Sequence, residues 1–125
     1  MKRKYATCLK MILTMAVCFV GFVQGASADN SGAFTSAVKD TGQASNFSTL
    51  TYSKTTPANT TLTVDVRAGN TATPDGTWTS WQVDISNGGS ISALDGNRYV
   101  QYRANLSTTD VNVTPSLDDV TFNYS

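Results

Sequence analysis

The chain of 125 residues contains no histidine and no glutamate, and its only cysteines are Cys8 and Cys18. Residues 29–125 therefore lack His, Cys and Glu altogether. These absences exclude a Ser-His-Asp triad, a Cys-His dyad and a His-rich zinc site from that part of the chain. Two carboxylates can still cleave a glycosidic bond, but Asp118 and Asp119 are adjacent on an expected strand and point to opposite faces. We therefore expect no enzymatic activity.

Long apolar runs are also missing, because the one extended apolar stretch covers only the thirteen residues from Met11 to Val23. A permanent membrane-spanning helix needs about 20 such residues. The stretch follows four basic residues and precedes small ones, namely Lys2, Arg3, Lys4 and Lys10, then Ala26, Ser27 and Ala28. This order is typical of a secretory signal peptide. We predict a signal peptide over residues 1–28, cleaved after Ala28, with a retained signal anchor as the alternative.

Positive charge becomes scarce once residues 1–28 are removed. All nine acidic residues of the chain are Asp, and all remain in residues 29–125, whereas only five of the nine basic residues do, which gives a net charge of −4. A nucleic-acid-binding protein shows the opposite sign, and attraction to anionic lipid is equally unsupported. We expect no nucleic acid as partner and no membrane span after cleavage.

Cysteine is absent from residues 29–125, so this part cannot form a disulfide and must fold on core burial alone. Small secreted eukaryotic domains usually carry disulfides. Their absence, together with the short, lysine-rich signal, favours a bacterial protein that is secreted, held at the cell surface or kept in the periplasm.

What the sequence does contain is period-two alternation, in a composition dominated by Thr, Val, Tyr, Ser and Asn. That composition suits strands and turns. The predicted strands are residues 34–38, 47–52, 61–67, 81–85, 98–106 and 120–124. The core is predicted from their buried faces, as Leu62, Val64, Val66, Val100, Tyr102, Leu106, Val120 and Phe122.

Turn signals separate these strands, as Pro57-Ala58-Asn59, Pro74-Asp75-Gly76, Asn87-Gly88-Gly89 and Asp95-Gly96-Asn97. Gly and Asn tolerate a positive φ, and Pro presets the first turn position. Six or more short strands with such turns indicate an all-β protein built as an antiparallel β-sandwich or barrel. We predict a single β-sandwich module over residues 29–125.

Five segments occur in one order along this module: residues 34–40, 62–67, 76–81 (Gly-Thr-Trp-Thr-Ser-Trp), 98–103 (Arg-Tyr-Val-Gln-Tyr-Arg) and 117–120. Together they resemble a module repeated in large bacterial secreted and surface proteins, often beside carbohydrate-active domains. Residues 98–103 also resemble a strand of discoidin-like, galactose-binding-like jelly rolls. The resemblance implies a jelly-roll β-sandwich of the binding-module kind, and it specifies no particular sugar.

Aromatic and polar side chains provide the candidate ligand site. Trp78, beside a turn, is a candidate platform for a sugar ring, with core or turn packing as the alternative; Trp81 shares its parity with Val83 and Ile85 and is assigned to the core. An outward row of Tyr99, Gln101 and Arg103 is expected beside Asp65 and Arg67 on a neighbouring strand. Such a row binds ligand hydroxyls or is merely solvated, with its charges paired across strands. The predicted ligand-binding residues are Trp78, Tyr99, Gln101, Arg103 and Arg67.

Aspartate as the only acidic residue limits the metal chemistry to a hard cation such as calcium. Jelly rolls of the resembled kind often hold one structural calcium where the terminal strands meet. Asp40, just past the first predicted strand, and Asp118, just before the last, fit that position; solvated or turn-capping aspartates are the alternative. No other cofactor is expected.

Two functions agree with these observations. The first is a non-catalytic module that binds a polysaccharide or cell-surface glycan and attaches a secreted protein to it. The second is a structural or adhesive β-sandwich that contacts other surface proteins. An exposed aromatic ring with polar neighbours in a groove favours the first, and a flat face with an unpaired edge strand favours the second.

Overall fold

The structure is a computed structural model that describes residues 5–14 and 30–125. The predicted cleavage site at Ala28 lies outside the described residues. The described part has eight strands and a single 3₁₀ turn at Ser92–Leu94. The strands are β1 (Tyr5–Thr14), β2 (Asn30–Thr35), β3 (Lys39–Ser45), β4 (Phe47–Thr55), β5 (Thr60–Gly69), β6 (Gly89–Ser90), β7 (Asn97–Thr108) and β8 (Ser116–Tyr124). None of the described helices is long and apolar enough to cross a bilayer.

The strands form two antiparallel sheets. Sheet A has the order β1-β8-β4-β6. In sheet B, β7 is the central strand: β5 pairs with it over its length on one side, while β2 and β3 share the other side end to end. The predicted antiparallel β-sandwich is confirmed, and the jelly-roll winding remains a prediction.

The core fills the space between the two sheets and follows from the alternation of the strands. Side chains at every second position of β5 and β7 point inward, and β8 and β4 supply the opposite wall. All eight predicted core residues are at most 4% exposed, which confirms that part of the prediction. These residues are Leu62, Val64, Val66, Val100, Tyr102, Leu106, Val120 and Phe122.

Asp118 lies within β8, although the sequence placed it just before the last strand. On the neighbouring strand Ser53 pairs with Asp119 and Lys54 pairs with Leu117, so Asp118 is an extra residue in β8. Such a bulge shifts the alternation by one position. It explains why Leu117 and Val120, three positions apart, are both buried.

The predicted strand over residues 81–85 is wrong. This segment instead belongs to a loop that runs along the free edge of β5, where Gln82 and Val66 exchange two backbone hydrogen bonds of 2.7 and 3.0 Å. Regular pairing stops there because Asp84 has a positive φ of 53°. Val83 is accordingly 64% exposed. The loop covers an edge that would otherwise offer unpaired backbone groups to another chain.

The same loop also reaches sheet A. The Tyr52 hydroxyl donates to the carbonyl of Ile85 at 2.8 Å, the Tyr52 N–H donates to Asn87 Oδ1 at 2.8 Å, and the Gly88 N–H donates to the carbonyl of Leu50 at 2.7 Å. Gly88 has a φ of 86°, so the turn predicted there is confirmed. One connection thus ties the two sheets together.

Candidate functional site

The outward row predicted on β7 is confirmed, and it lies beside β5 as expected. Arg103 pairs with Asp65, and Gln101 pairs with Arg67. Because facing residues of an antiparallel pair share a face, these four side chains converge on the outer side of sheet B. The alternation of apolar and polar residues along β5 and β7 sets the strand register that brings these four side chains to one face.

Asp65 is the buried anchor of this face, with only 2% of its surface exposed. It accepts hydrogen bonds from Arg103 at 2.6 and 3.0 Å, from Asn105 Nδ2 at 2.9 Å and from the Asp84 N–H at 2.9 Å. Burial alone would raise the pKa of the Asp65 carboxyl, but these donors to its charged form outweigh burial and lower the pKa. The carboxylate thereby positions Arg103 and holds the loop near Asp84 on the sheet.

Two arginines and two tryptophans form the arginine–tryptophan cluster, which we define as Arg67, Trp78, Trp81 and Arg103. The guanidinium carbons of Arg67 and Arg103 each lie 4.4 Å from the ring centroid of Trp81. Arg67 is also 5.3 Å from the ring of Trp78. Distances below about 6 Å are those of favourable cation–π contacts. Trp81 is half-buried rather than part of the core, so its assignment from strand parity is wrong.

Trp78 is buried, with 7% of its surface exposed, so the prediction of an exposed ring is wrong. Its Nε1–H donates to the Thr71 carbonyl at 3.1 Å and to Thr71 Oγ1 at 2.9 Å. The ring packs on Gly69, where an added Cβ would lie 2.2 Å from Trp78 Cδ1. Trp78 therefore has the packing role that the sequence left as its alternative.

Gln101 and Tyr99 differ in what they offer a ligand. Gln101 is 7% exposed, accepts from Arg67 and donates from Nε2 to the Ser36 carbonyl at 2.7 Å, so it orients Arg67 rather than facing solvent. Tyr99 is half-buried at the end of the row, and the guanidinium carbon of Arg98 lies 5.1 Å from its ring centroid.

A shallow groove of about 400 Å³ continues the same face beyond the cluster. Two of its residues, Thr63 and Asn105, are the next outward pair after Asp65 and Arg103. Hydroxyl groups are the main polar groups of its lining, so we call it the hydroxyl groove. Its lining consists of Ser31, Gly32, Ala33, Thr61, Thr63, Asn105, Leu106 and Ser107.

The two aspartates proposed for calcium lie in different sheets, Asp40 in β3 and Asp118 in β8. Asp40 forms a two-pronged ion pair with Arg98, at 2.7 and 2.8 Å, and accepts the Gly42 N–H. The Arg98 guanidinium is the main cause that lowers the pKa of Asp40 to about 2. Among residues 30–125, no three carboxylates converge as ligands for a metal ion. The structure adds no support to the calcium prediction.

Sequence reasoning missed two features of this site, the buried Asp65 and the stacking of both arginines on Trp81. Asp65 was predicted as an outward residue, and its burial depends on a loop that begins at Asn70. The available signal was composition: charged side chains on one strand face, followed by two tryptophans in the next connection.

Comparison with known proteins gives no family assignment, because no protein-family model, curated protein or solved structure matches the chain.

Proposed function

We propose that the protein is a secreted, non-catalytic module that binds carbohydrate, either a polysaccharide or a cell-surface glycan. Its binding face is the outer side of sheet B, where the arginine–tryptophan cluster adjoins the hydroxyl groove. The observation that carries the proposal is the half-buried ring of Trp81, held 4.4 Å from the guanidinium carbons of Arg67 and Arg103. Arg103 belongs to the outward pair next to Thr63 and Asn105, which line the groove.

A sugar needs an apolar surface for the C–H face of its ring and polar groups for its hydroxyls. We assign the first to Trp81, because its ring is only partly buried and is held in place by Arg67 and Arg103. The second is supplied by hydroxyls, which both donate and accept hydrogen bonds, and by the amide oxygen of Asn105, whose Nδ2 already donates to Thr63 and Asp65. The hydroxyls belong to Ser31, Thr61, Thr63 and Ser107. A shallow, open groove suits a chain of sugars better than a small molecule, which binds in enclosed pockets.

We propose a non-catalytic function because residues 29–125 lack His, Cys and Glu. Of the acidic groups on this face, Asp65 is fully engaged with Arg103, Asn105 and Asp84 and is sequestered from solvent. The proposed locations are those that a signal peptide allows, namely the cell surface, the medium or the periplasm.

Affinity electrophoresis of residues 29–125 through gels containing soluble polysaccharides tests the proposal. Trp81→Ala should abolish retardation while the protein remains folded, as judged by thermal melting. Thr51→Ala, on the outer face of sheet A, is the control and should bind as the wild type does. Equal retardation of wild type and Trp81→Ala contradicts the proposal. So does the absence of both retardation by any polysaccharide and binding to any glycan of an array.

A structural or adhesive module is the second candidate, and the position of β8 favours it. Among the strands that the structure describes, β1 (residues 5–14) alone lies between β8 and that edge of sheet A. If residues 1–28 are removed on export, β8 presents an unpaired edge to which a strand of another surface protein can add.

A further inference from the structure

Arg67 differs from the other arginines of the described residues in its lack of an anionic partner. Arg98 pairs with Asp40, and Arg103 pairs with Asp65. Arg67 forms no ion pair with any carboxylate of residues 30–125, and its hydrogen bonds go to the neutral Gln101 side chain. This is unexpected in a mature chain whose acidic residues outnumber its basic ones by nine to five.

The guanidinium of Arg67 is held in one orientation. Nε and Nη2 donate to Gln101 Oε1 at 2.9 and 2.7 Å, and the two tryptophan rings lie 4.4 and 5.3 Å from its central carbon. Gln101 is itself fixed by the Ser36 carbonyl. An arginine has five N–H donors, so the Gln101 contact occupies one edge of the fork. The other edge of the fork carries the two N–H groups of Nη1 and the second N–H of Nη2, and these three donors make no hydrogen bond to residues 30–125.

An edge of this kind matches the two oxygens of a carboxylate or a sulfate, which an arginine binds through parallel hydrogen bonds. Partial burial strengthens such a contact because less water competes for it. The cation, the Trp81 ring and the hydroxyl groove lie on one face, so a sugar placed on Trp81 would bring its acidic group to Arg67.

We propose that the ligand of this face is an acidic polysaccharide and that Arg67 binds its carboxylate or sulfate groups; the inference rests on the carbohydrate-binding function proposed above. Trp81 and the groove bind the sugar ring and hydroxyls, and Arg67 selects for negative charge. Arg103 contributes less to this selection because Asp65 already neutralises it.

The test compares three polymers by affinity electrophoresis and titration calorimetry on residues 29–125: polygalacturonate for carboxylate, dextran sulfate for sulfate and dextran as the neutral reference. The variants are Arg67→Gln, Arg67→Lys and Arg98→Gln, the last removing the same charge at a site away from Trp81. We expect at least one acidic polymer to bind more tightly than dextran. That affinity should fall about tenfold or more in Arg67→Gln, partly in Arg67→Lys and less than about threefold in Arg98→Gln.

Each outcome has a distinct meaning. A preference for dextran sulfate or for polygalacturonate identifies the acidic group. Equal binding of neutral and acidic polymers overturns the role of Arg67 but leaves the carbohydrate-binding proposal standing. An equal loss in Arg67→Gln and Arg98→Gln shows non-specific charge attraction and also overturns the inference. Absence of binding to all polymers overturns both proposals. Should Arg67→Gln fail to fold, the inference is tested by Arg67→Lys and by the preference of the wild type for acidic over neutral polymers.

Discussion

Gly69 and Trp78 are coupled by direct contact at the base of the arginine–tryptophan cluster. A Cβ at position 69 would lie 2.2 to 2.4 Å from three atoms of the Trp78 ring. We expect Gly69→Ala to displace the ring and to lower the free energy of unfolding by about 1 to 3 kcal/mol or more, which is typical of overpacking. Gly76→Ala is the matched control, since nothing lies within 4 Å of its added Cβ. Chemical denaturation monitored by tryptophan fluorescence measures both, and equal stability of the two variants contradicts the packing.

Val64 tests the core at the level of one side chain. It is 0% exposed, whereas Val83 is 64% exposed. Val64→Ala should therefore cost about 1 to 3 kcal/mol through lost burial and a residual cavity. The same change at Val83 should stay within about 0.5 kcal/mol. A Val64→Ala variant with unchanged melting would show that the register of β5 is wrong.

The pairing of β5 with β7 makes stability depend on pH through Asp65. Its carboxyl has a lowered pKa in the folded protein, so its contribution is present above the unfolded pKa of about 4 and is lost as pH falls through the lower folded value. We expect Asp65→Asn to reduce stability at neutral pH by about 1 to 3 kcal/mol, because Arg103 loses a buried partner. The variant should also lose part of the decline in stability below about pH 4. An unchanged acid profile in urea denaturation contradicts this role.

At the scale of elements, the sequence predicts best where one alternating run covers a whole strand. In β5 and β7 the six side chains predicted for the core all point inward, because a strand with one buried face has only one register that hides Leu62, Val64 and Val66 together. In residues 81–85 the same alternation misled, because Asp84 takes a positive φ that no local pattern indicates.

The candidate site was predictable only in part, for a related physical reason. The row of Gln101 and Arg103 beside Arg67 follows from strand pairing, which alternation reveals. The burial of Trp78 and the partial burial of Trp81 depend on how residues 70–88 fold back over β5. That path is set by non-local contacts such as the hydrogen bond from the Thr79 N–H to the Ala68 carbonyl. Sequence spacing contains no information on those contacts.

At the scale of the whole molecule, removal of residues 1–28 should change one edge of sheet A. β8 pairs with β1 from Tyr124 to Ser116. β1 itself lies within the predicted signal peptide. We expect the secreted product to begin at Asp29, which intact-mass measurement checks. A secreted product that retains residues 11–23 would contradict the cleavage.

Hydrogen exchange detects the structural effect of that cleavage. Amides of β8 should exchange faster in a chain that begins at Asp29 than in the full chain, because some lose their partners in β1. Amides of β5 are the internal control, since β7 lies on one side and the bridge to Gln82 on the other. Equal exchange in β8 of the two chains would mean that β1 does not protect this edge.

The connection between Gly69 and Gly89 links the two sheets through hydrogen bonds, to Val66 in sheet B and to Tyr52 and Leu50 in sheet A. Small exported domains commonly achieve such cross-bracing with disulfides, which form only where an oxidant is present. Here the link between the sheets consists of hydrogen bonds and needs no oxidant and no disulfide isomerase. A chain beginning at Asp29 should therefore reach the same fold in the reducing cytoplasm. If the predicted signal peptide directs export, no redox step delays folding until after translocation. We therefore expect that a route which translocates unfolded chains would have to act before the hydrogen bonds of this connection form.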